Sequence, residues 1–84
     1  MNNKYDLYLE RIDPVRNMRR FYTVSVGRSL FGEPVLIRRW GRIGSFGQEK
    51  LETCASEQEA LSRLLALTQS KRKRDYRPPS KLGQ

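Results

Sequence analysis

The chain has 84 residues, with 17 lysines and arginines against 9 aspartates and glutamates, which gives a formal net charge of +8. This length predicts a single domain with a small core and excludes a two-domain enzyme. Because the chain has no histidine and one cysteine, it cannot form a Ser-His-Asp or Cys-His triad, an internal disulfide or a zinc site with several cysteines.

Motifs of catalysis, membrane insertion and secretion are also missing from the sequence. We find no phosphate-binding loop and no dinucleotide fingerprint, so we expect no enzymatic activity, no cofactor and no metal. No apolar run approaches the ~20 residues that span a bilayer, and the N-terminus has no apolar signal region. We therefore expect a cytoplasmic protein that does not bind membranes, with association with the nucleoid as an option.

The first two predicted elements are strands. Residues 4–12 alternate between apolar and polar positions, as a half-buried strand does. Asp13-Pro14 ends this strand, and residues 14–20 are expected to form a polar connection. The second strand is predicted over 21–26, with Tyr22, Val24 and Val26 on one face.

The third predicted strand contains the most informative alternation. A loop over 27–32 precedes it, and we expect the apolar pair Leu30-Phe31 in this loop to fold back onto the sheet. The strand runs from Val35 to about Arg42. If Val35 and Ile37 point into the core, the opposite face is exposed and carries Arg38, Trp40 and Arg42. A β-bulge at Gly41 would change the face to which Arg42 points.

A tight turn over 44–47 leads into a polar fourth strand over 48–54. Ser56-Glu57-Gln58-Glu59 is a capping box that predicts the start of a helix. The helix is expected to pack on the sheet through a stripe at helical spacing, formed by Ala60, Leu61, Leu64, Leu65 and Thr68. The four cations at 71–74 suit the negative end of the helix dipole. They are interpreted either as solvated side chains at the end of the helix or as a basic segment that binds an anion.

These elements predict an α+β fold, a small antiparallel sheet of about four strands with one C-terminal helix packed on it. We assign residues 1–77 to the domain and 78–84 to a flexible basic tail. Residues 71–84 carry 6 basic groups and 1 acidic group. An excess of this kind favours a polyanionic partner, while solubility alone is the other interpretation.

Residues 38–44 read Arg-Arg-Trp-Gly-Arg-Ile-Gly and contain the single tryptophan of the chain. An indole offers a flat stacking face, guanidinium groups fit phosphate oxygens, and glycine allows a ligand close to the backbone. This mixture fits a nucleic-acid site. The alternative is a buried core tryptophan beside solvated arginines.

The chain resembles a WGR domain over roughly residues 5–77. Trp40-Gly41-Arg42-Ile43-Gly44 is the strongest element of the resemblance. The supporting elements are Phe21-Tyr22, Gly47-Gln48, Glu59-Ala60 and the basic helix end. The chain is most similar to small stand-alone bacterial members of the family, and its length excludes the catalytic domain of the poly(ADP-ribose) polymerases that also contain this domain.

The resemblance implies a non-catalytic module that binds DNA at ends, nicks or gaps, with Trp40 stacking on a terminal sugar or base. The motif arginine, Arg42, serves an interdomain contact in some relatives. We expect little sequence preference and a monomer. The residues expected to contact nucleic acid are Trp40, Arg42, Arg38, Arg39, Arg19, Arg20, Gln48, Lys50, Lys71, Arg72, Lys73 and Arg74.

Two alternatives remain open on the same residues. A Trp/Arg patch is also typical of protein–protein hot spots, so the chain could be an interaction adaptor. The second alternative is that the chain binds RNA, since exposed aromatic side chains with basic neighbours do not distinguish RNA from DNA.

Overall fold

The structure is a computed structural model that describes residues 5–79. Its four strands form one sheet in the order β1-β2-β3-β4, with every neighbouring pair antiparallel. One helix follows and packs against β2 and β3. The predicted α+β class, with four strands and one C-terminal helix, is confirmed. The elements are β1 (Tyr5–Asp13), β2 (Met18–Arg28), β3 (Pro34–Arg42), β4 (Gln48–Thr53) and α1 (Glu57–Lys73).

Strand β2 extends beyond the predicted 21–26 at both ends. Its pairing with β1 continues to Asp13 opposite Met18, and its pairing with β3 continues to Arg28 opposite Pro34. The polar side chains of Arg19 and Arg20 suggested a connection, but ladder hydrogen bonds join backbone groups and tolerate polar side chains. The actual turn is short and uses Asn17 at a positive φ of 54°.

The core lies between α1 and one face of the sheet, which we call the helix face. Ala60 and Leu64 of α1 are buried there together with Tyr76. The strands contribute Leu9, Tyr22, Val24, Val26 and Leu36. Successive residues of a strand point to opposite faces, so the intervening positions form a second face, the open face, which α1 does not cover.

The predicted capping box is present at the start of α1. The Ser56 hydroxyl accepts a hydrogen bond from the Glu59 backbone N–H at 3.0 Å. The Glu59 carboxylate reaches back to accept from the Ala55 N–H at 2.6 Å. The predicted stripe was wrong at Leu65, which is 55% exposed. Leu67 packs partly against the core instead, because the face of the helix that contacts the sheet is rotated away from Leu65 and towards Leu67.

The chain reverses direction after the helix. Asp75 has a φ of 70°, and the reversal buries Tyr76 in the core. Arg77 then exchanges two backbone hydrogen bonds with Glu10, at 2.7 and 2.8 Å, and so extends the sheet beside β1. Of the predicted tail over 78–84, residues 80–84 lie outside the described range, as does residue 4 at the predicted start of the first strand.

The prediction that Leu30-Phe31 folds back was wrong, since their exposed fractions are 99% and 89%. The loop between β2 and β3 is closed by its own hydrogen bonds, with the Ser29 hydroxyl accepting from the N–H groups of Phe31 and Glu33. This short closed loop cannot bend back far enough to reach the sheet. Within residues 5–79, no helix is long and apolar enough to cross a membrane.

Candidate functional site

The register of β3 places the Trp-Gly-Arg segment on the helix face. Trp40 lies between Tyr22 on β2 and Gln48 on β4, while Arg42 lies opposite Arg20. The pairing runs without interruption through Gly41, so the alternative of a bulge there is excluded.

The expectation that Val35 and Ile37 point into the helix-covered core was wrong. Leu36 is the β3 residue in the core cluster, so Val35 and Ile37 lie on the open face. Arg38, Trp40 and Arg42 do share a face, as predicted, but that face is the one α1 covers. Trp40 is therefore half-buried and packs partly against the core, which combines the two alternatives that the sequence left open.

A cleft of about 470 Å³ opens beside Trp40, where the helix face meets the C-terminal end of α1. Gly41 and Tyr76 line it together with Trp40. The remaining lining residues are all cations from four parts of the chain, namely Arg11 on β1, Arg20 on β2, Arg42 on β3, and Lys71 and Arg74 at the helix end. We call this site the basic cleft.

The five cations of the basic cleft have no carboxylate within ion-pair distance among residues 5–79. Among residues 5–79, the one side-chain hydrogen bond from this group goes from the Arg42 guanidinium to the Asn17 carbonyl at 3.4 Å. Unpaired cations that converge on a concave surface create a local positive potential. The cleft therefore suits a ligand with several negative charges.

Lys71 occupies the aromatic wall of the basic cleft. Its ammonium nitrogen lies 4.7 Å from the ring centroid of Tyr22 and 5.3 Å from that of Tyr76. Burial, and then the positive charges of Arg74 and Arg38, lower the pKa of Lys71 below its usual value. Lys71 thus lies near other cations without a compensating carboxylate among residues 5–79. A bound anion would reduce the repulsion between these charges.

Arg38 and Lys50 lie on the helix face too, but their charges are compensated. Each has its side-chain nitrogen 3.8 Å from a Glu52 oxygen, and Arg63 of α1 donates to the same carboxylate at 2.8 Å. The hydrogen bond from Arg63 and the surrounding positive charges hold the pKa of Glu52 below its ordinary value. Arg38 also lies over the Trp40 ring, with its guanidinium carbon 5.8 Å from the centroid.

The other predicted contact residues do not line the basic cleft. Arg19 and Arg39 lie on the open face, one position away from Arg20 and Arg38. Arg72 and Lys73 are exposed on α1 outside the cleft lining. Gln48 is exposed on β4 directly opposite Trp40. The structure therefore brings together five of the predicted residues, which are Trp40, Arg42, Arg20, Lys71 and Arg74.

Two residues of the cleft were missed by the sequence analysis. Arg11 continues the alternation of Leu7 and Leu9, which places it on the helix face, so extending that pattern by one step could have found it. Tyr76 follows the basic run and precedes two prolines, which suggested an unstructured end. No local signal indicated that it returns to the core.

The turn between β3 and β4 fixes the backbone of Trp40. Gly47 has a φ of 80°, a conformation that disfavours residues with a Cβ. A Cβ at this position would also collide with the backbone carbonyl of Trp40. A glycine is therefore required here so that the turn can pack directly against the strand that carries the indole.

Comparison with known proteins identifies the family of this chain. The family model described as WGR domain matches residues 5–82. A protein of Sinorhizobium fredii strain NGR234, named "Uncharacterized protein y4dW", is 46% identical over 78 residues. The match covers 93% of this chain and 38% of that relative, so the chain spans well under half of the relative's length. No solved structure matches the chain. The sequence, the fold and the family match agree, and the chain belongs to the WGR domain family.

Proposed function

We propose that this protein is a non-catalytic module that binds DNA at ends, nicks or gaps through the basic cleft, with little sequence preference. The observation that carries the proposal is the convergence of five cations, without carboxylate partners among residues 5–79, around one half-buried indole. WGR domains are generally linked to nucleic-acid binding, which agrees with this interpretation.

The charges in the cleft suit a phosphate backbone. Four of the five cations are arginines, and a planar guanidinium can donate two parallel hydrogen bonds to phosphate oxygens. Each phosphate neutralised by such a group releases condensed counterions, which supplies sequence-independent affinity. Since phosphate contacts do not read base identity, this chemistry supports binding with little preference for sequence.

The position of Trp40 supports binding at a discontinuity in the duplex. Bases inside an intact duplex are stacked on both faces, so an indole can stack only where a neighbour is missing. An end, a nick or a gap provides such a surface. Trp40 packs partly against the core, which restricts its motion and reduces the entropy lost on stacking. Stacking of this kind contributes about 1–3 kcal/mol per base.

The test uses the single tryptophan as its own probe. Binding to nicked, blunt-ended and single-stranded DNA is measured by quenching of Trp40 fluorescence and by anisotropy of labelled DNA, at two salt concentrations. We expect nicked or blunt-ended DNA to quench the indole, with affinity that falls steeply as salt increases. The Trp40→Ala variant should lose about five- to 150-fold in affinity for these ligands.

Phe31→Ala is the matched control, because Phe31 is an aromatic side chain that is 89% exposed and lies on the loop away from the cleft. Circular dichroism checks that both variants remain folded. If the wild type does not bind DNA even at low salt, the proposal fails, and a protein-interaction adaptor that uses the Trp/Arg patch becomes the better hypothesis. Tighter binding to RNA than to DNA of the same form would replace DNA with RNA as the ligand.

A further inference from the structure

The open face of the sheet exposes more large apolar side chains than a solvated sheet face normally does. An antiparallel sheet covered on one side normally alternates apolar-in and polar-out. Here the open face also carries large apolar side chains, and four of them are well exposed. They are Tyr8 at 39%, Ile12 at 48%, Phe46 at 64% and Leu51 at 59%.

An ordered aromatic and cationic stack lies at the centre of this face. Tyr8 stacks on Phe21 with a centroid separation of 6.2 Å and an interplanar angle of 4°. The Arg39 guanidinium carbon lies 5.3 Å from the Phe21 ring and 4.8 Å from the Phe46 ring. The Arg39 Nε is buried and has no hydrogen-bond partner among residues 5–79. Tyrosine, phenylalanine and arginine are the residues that concentrate at protein interfaces.

The charge of the open face differs from that of the rest of the molecule. Its strand positions carry two cations and three carboxylates, which are Arg19, Arg39, Asp6, Glu10 and Glu49. The strand positions of the helix face carry six cations and two carboxylates, which are Arg11, Arg20, Arg28, Arg38, Arg42, Lys50, Asp13 and Glu52. A nucleic acid is therefore attracted to the helix face and not to the open face.

We propose that the open face is the contact surface between two copies of this chain, packed sheet to sheet, in place of the monomer expected from the sequence. A protein with a net charge of +8 repels its own copies at most surfaces, and the open face, with nearly balanced charge, avoids this repulsion. Its mixed signs also permit charge complementarity, because a two-fold axis can place carboxylates of each copy opposite guanidiniums of the other. The second copy thus covers the exposed apolar side chains of the open face.

The area of the open face indicates which class of protein interface it can form. Four strands spaced about 4.8 Å apart, each about 20–30 Å long, give a face of roughly 400–600 Å² per copy. The two copies together then bury roughly 800–1,200 Å², at the lower end of specific interfaces. Interfaces of this size are typical of weak and transient complexes, so we expect the monomer and the dimer to exchange reversibly.

Such a dimer has a consequence for binding, which rests on the function proposed above. The basic cleft is on the helix face, so two copies joined by their open faces carry their clefts on opposite outer sides. Each copy keeps its own cleft accessible, and the pair holds two DNA ends at once.

Self-association is tested without DNA, by sedimentation equilibrium of the full chain across the micromolar range. We expect a reversible monomer–dimer equilibrium that weakens at least about tenfold in Leu51→Lys, because two like charges are then brought into an apolar interface. Leu65→Lys is the matched control, since Leu65 is 55% exposed on α1, and the variant has the same charge change. It should dimerise like the wild type.

Three results would overturn the proposal. The first is a wild type that stays monomeric throughout the concentration range. The second is an equal weakening of dimerisation by Leu51→Lys and Leu65→Lys. The third is a dimer that Phe31→Ser, on the loop between β2 and β3, abolishes while Leu51→Lys leaves it intact. Because these measurements contain no nucleic acid, they are independent of whether Trp40 binds DNA. If Leu51→Lys no longer dimerises but still binds DNA, the result supports both proposals.

Discussion

Adjacent arginines on β2 provide a direct test of whether binding depends on the basic cleft or on total charge. Arg20 lines the cleft, whereas Arg19 points to the open face. Both are exposed, and neither side chain forms an ion pair within residues 5–79. Changing either residue to glutamine removes one charge from the same strand, so the two variants differ in the face that they affect.

The expected effect follows from the number of cations in the cleft. On duplex DNA, each phosphate contact contributes about −0.9 to the slope of log affinity against log salt. Five such contacts give a slope of about −4.5, and Arg20→Gln should reduce it to about −3.6. At about 0.1 M salt, the loss of one contact lowers affinity about eightfold, or about 1.2 kcal/mol. Arg19→Gln should leave the slope and the affinity near wild type.

The assay is fluorescence anisotropy of a labelled nicked duplex at four or more salt concentrations, with thermal denaturation of each variant as a check on folding. If Arg19→Gln and Arg20→Gln reduce the slope and the affinity equally, binding depends on diffuse charge. That result would refute the assignment of the cleft as the binding site, even if the protein still binds DNA.

Three further predictions concern the architecture that holds the site. Ser56→Ala removes the N-cap of α1 and should cost about 1 kcal/mol, seen as a melting temperature lower by roughly 4–8 °C; an unchanged melting temperature would contradict the assigned cap. Gly44→Ala should cost about 1–2 kcal/mol because of its positive φ alone, since a Cβ there meets open space. Gly47→Ala should cost more in urea denaturation and also weaken DNA binding, because its Cβ meets the backbone of Trp40; equal costs at the two glycines would contradict this reasoning. Because the folded state lowers the pKa of Glu52 from 4.5, this group stabilises the protein above that pH and loses its contribution as pH falls. Glu52→Gln should therefore be less stable than wild type near neutrality, by roughly 0.5–1 kcal/mol, and the difference should shrink in acid denaturation profiles below pH 4.5; a difference independent of pH would exclude this role.

Local sequence patterns were sufficient for most of the fold. Alternation placed the strands, and the Ser56 capping box placed the start of α1, because strand faces and helix caps depend on residues close together in the chain. The same patterns put Arg38, Trp40 and Arg42 on one face of β3. They could not say which face the helix would cover, since both sides of this strand carry apolar residues.

Tertiary structure decided which charges act together. Arg11, Arg42 and Lys71 are far apart in the sequence, and only the sheet register and the packing of α1 bring them to one cleft. The same packing gives Arg38 and Lys50 a carboxylate partner in Glu52.

The return of Tyr76 to the core likewise depends on long-range contacts. Its position follows from the chain reversal at Asp75 and the pairing of Arg77 with Glu10. The sequence alone thus determined the elements of this protein and singled out Trp40 as the candidate stacking residue. Folding determined which cations surround Trp40 without ion-pair partners in the described part of the chain, because ion pairing depends on distances between side chains that the order of residues does not specify.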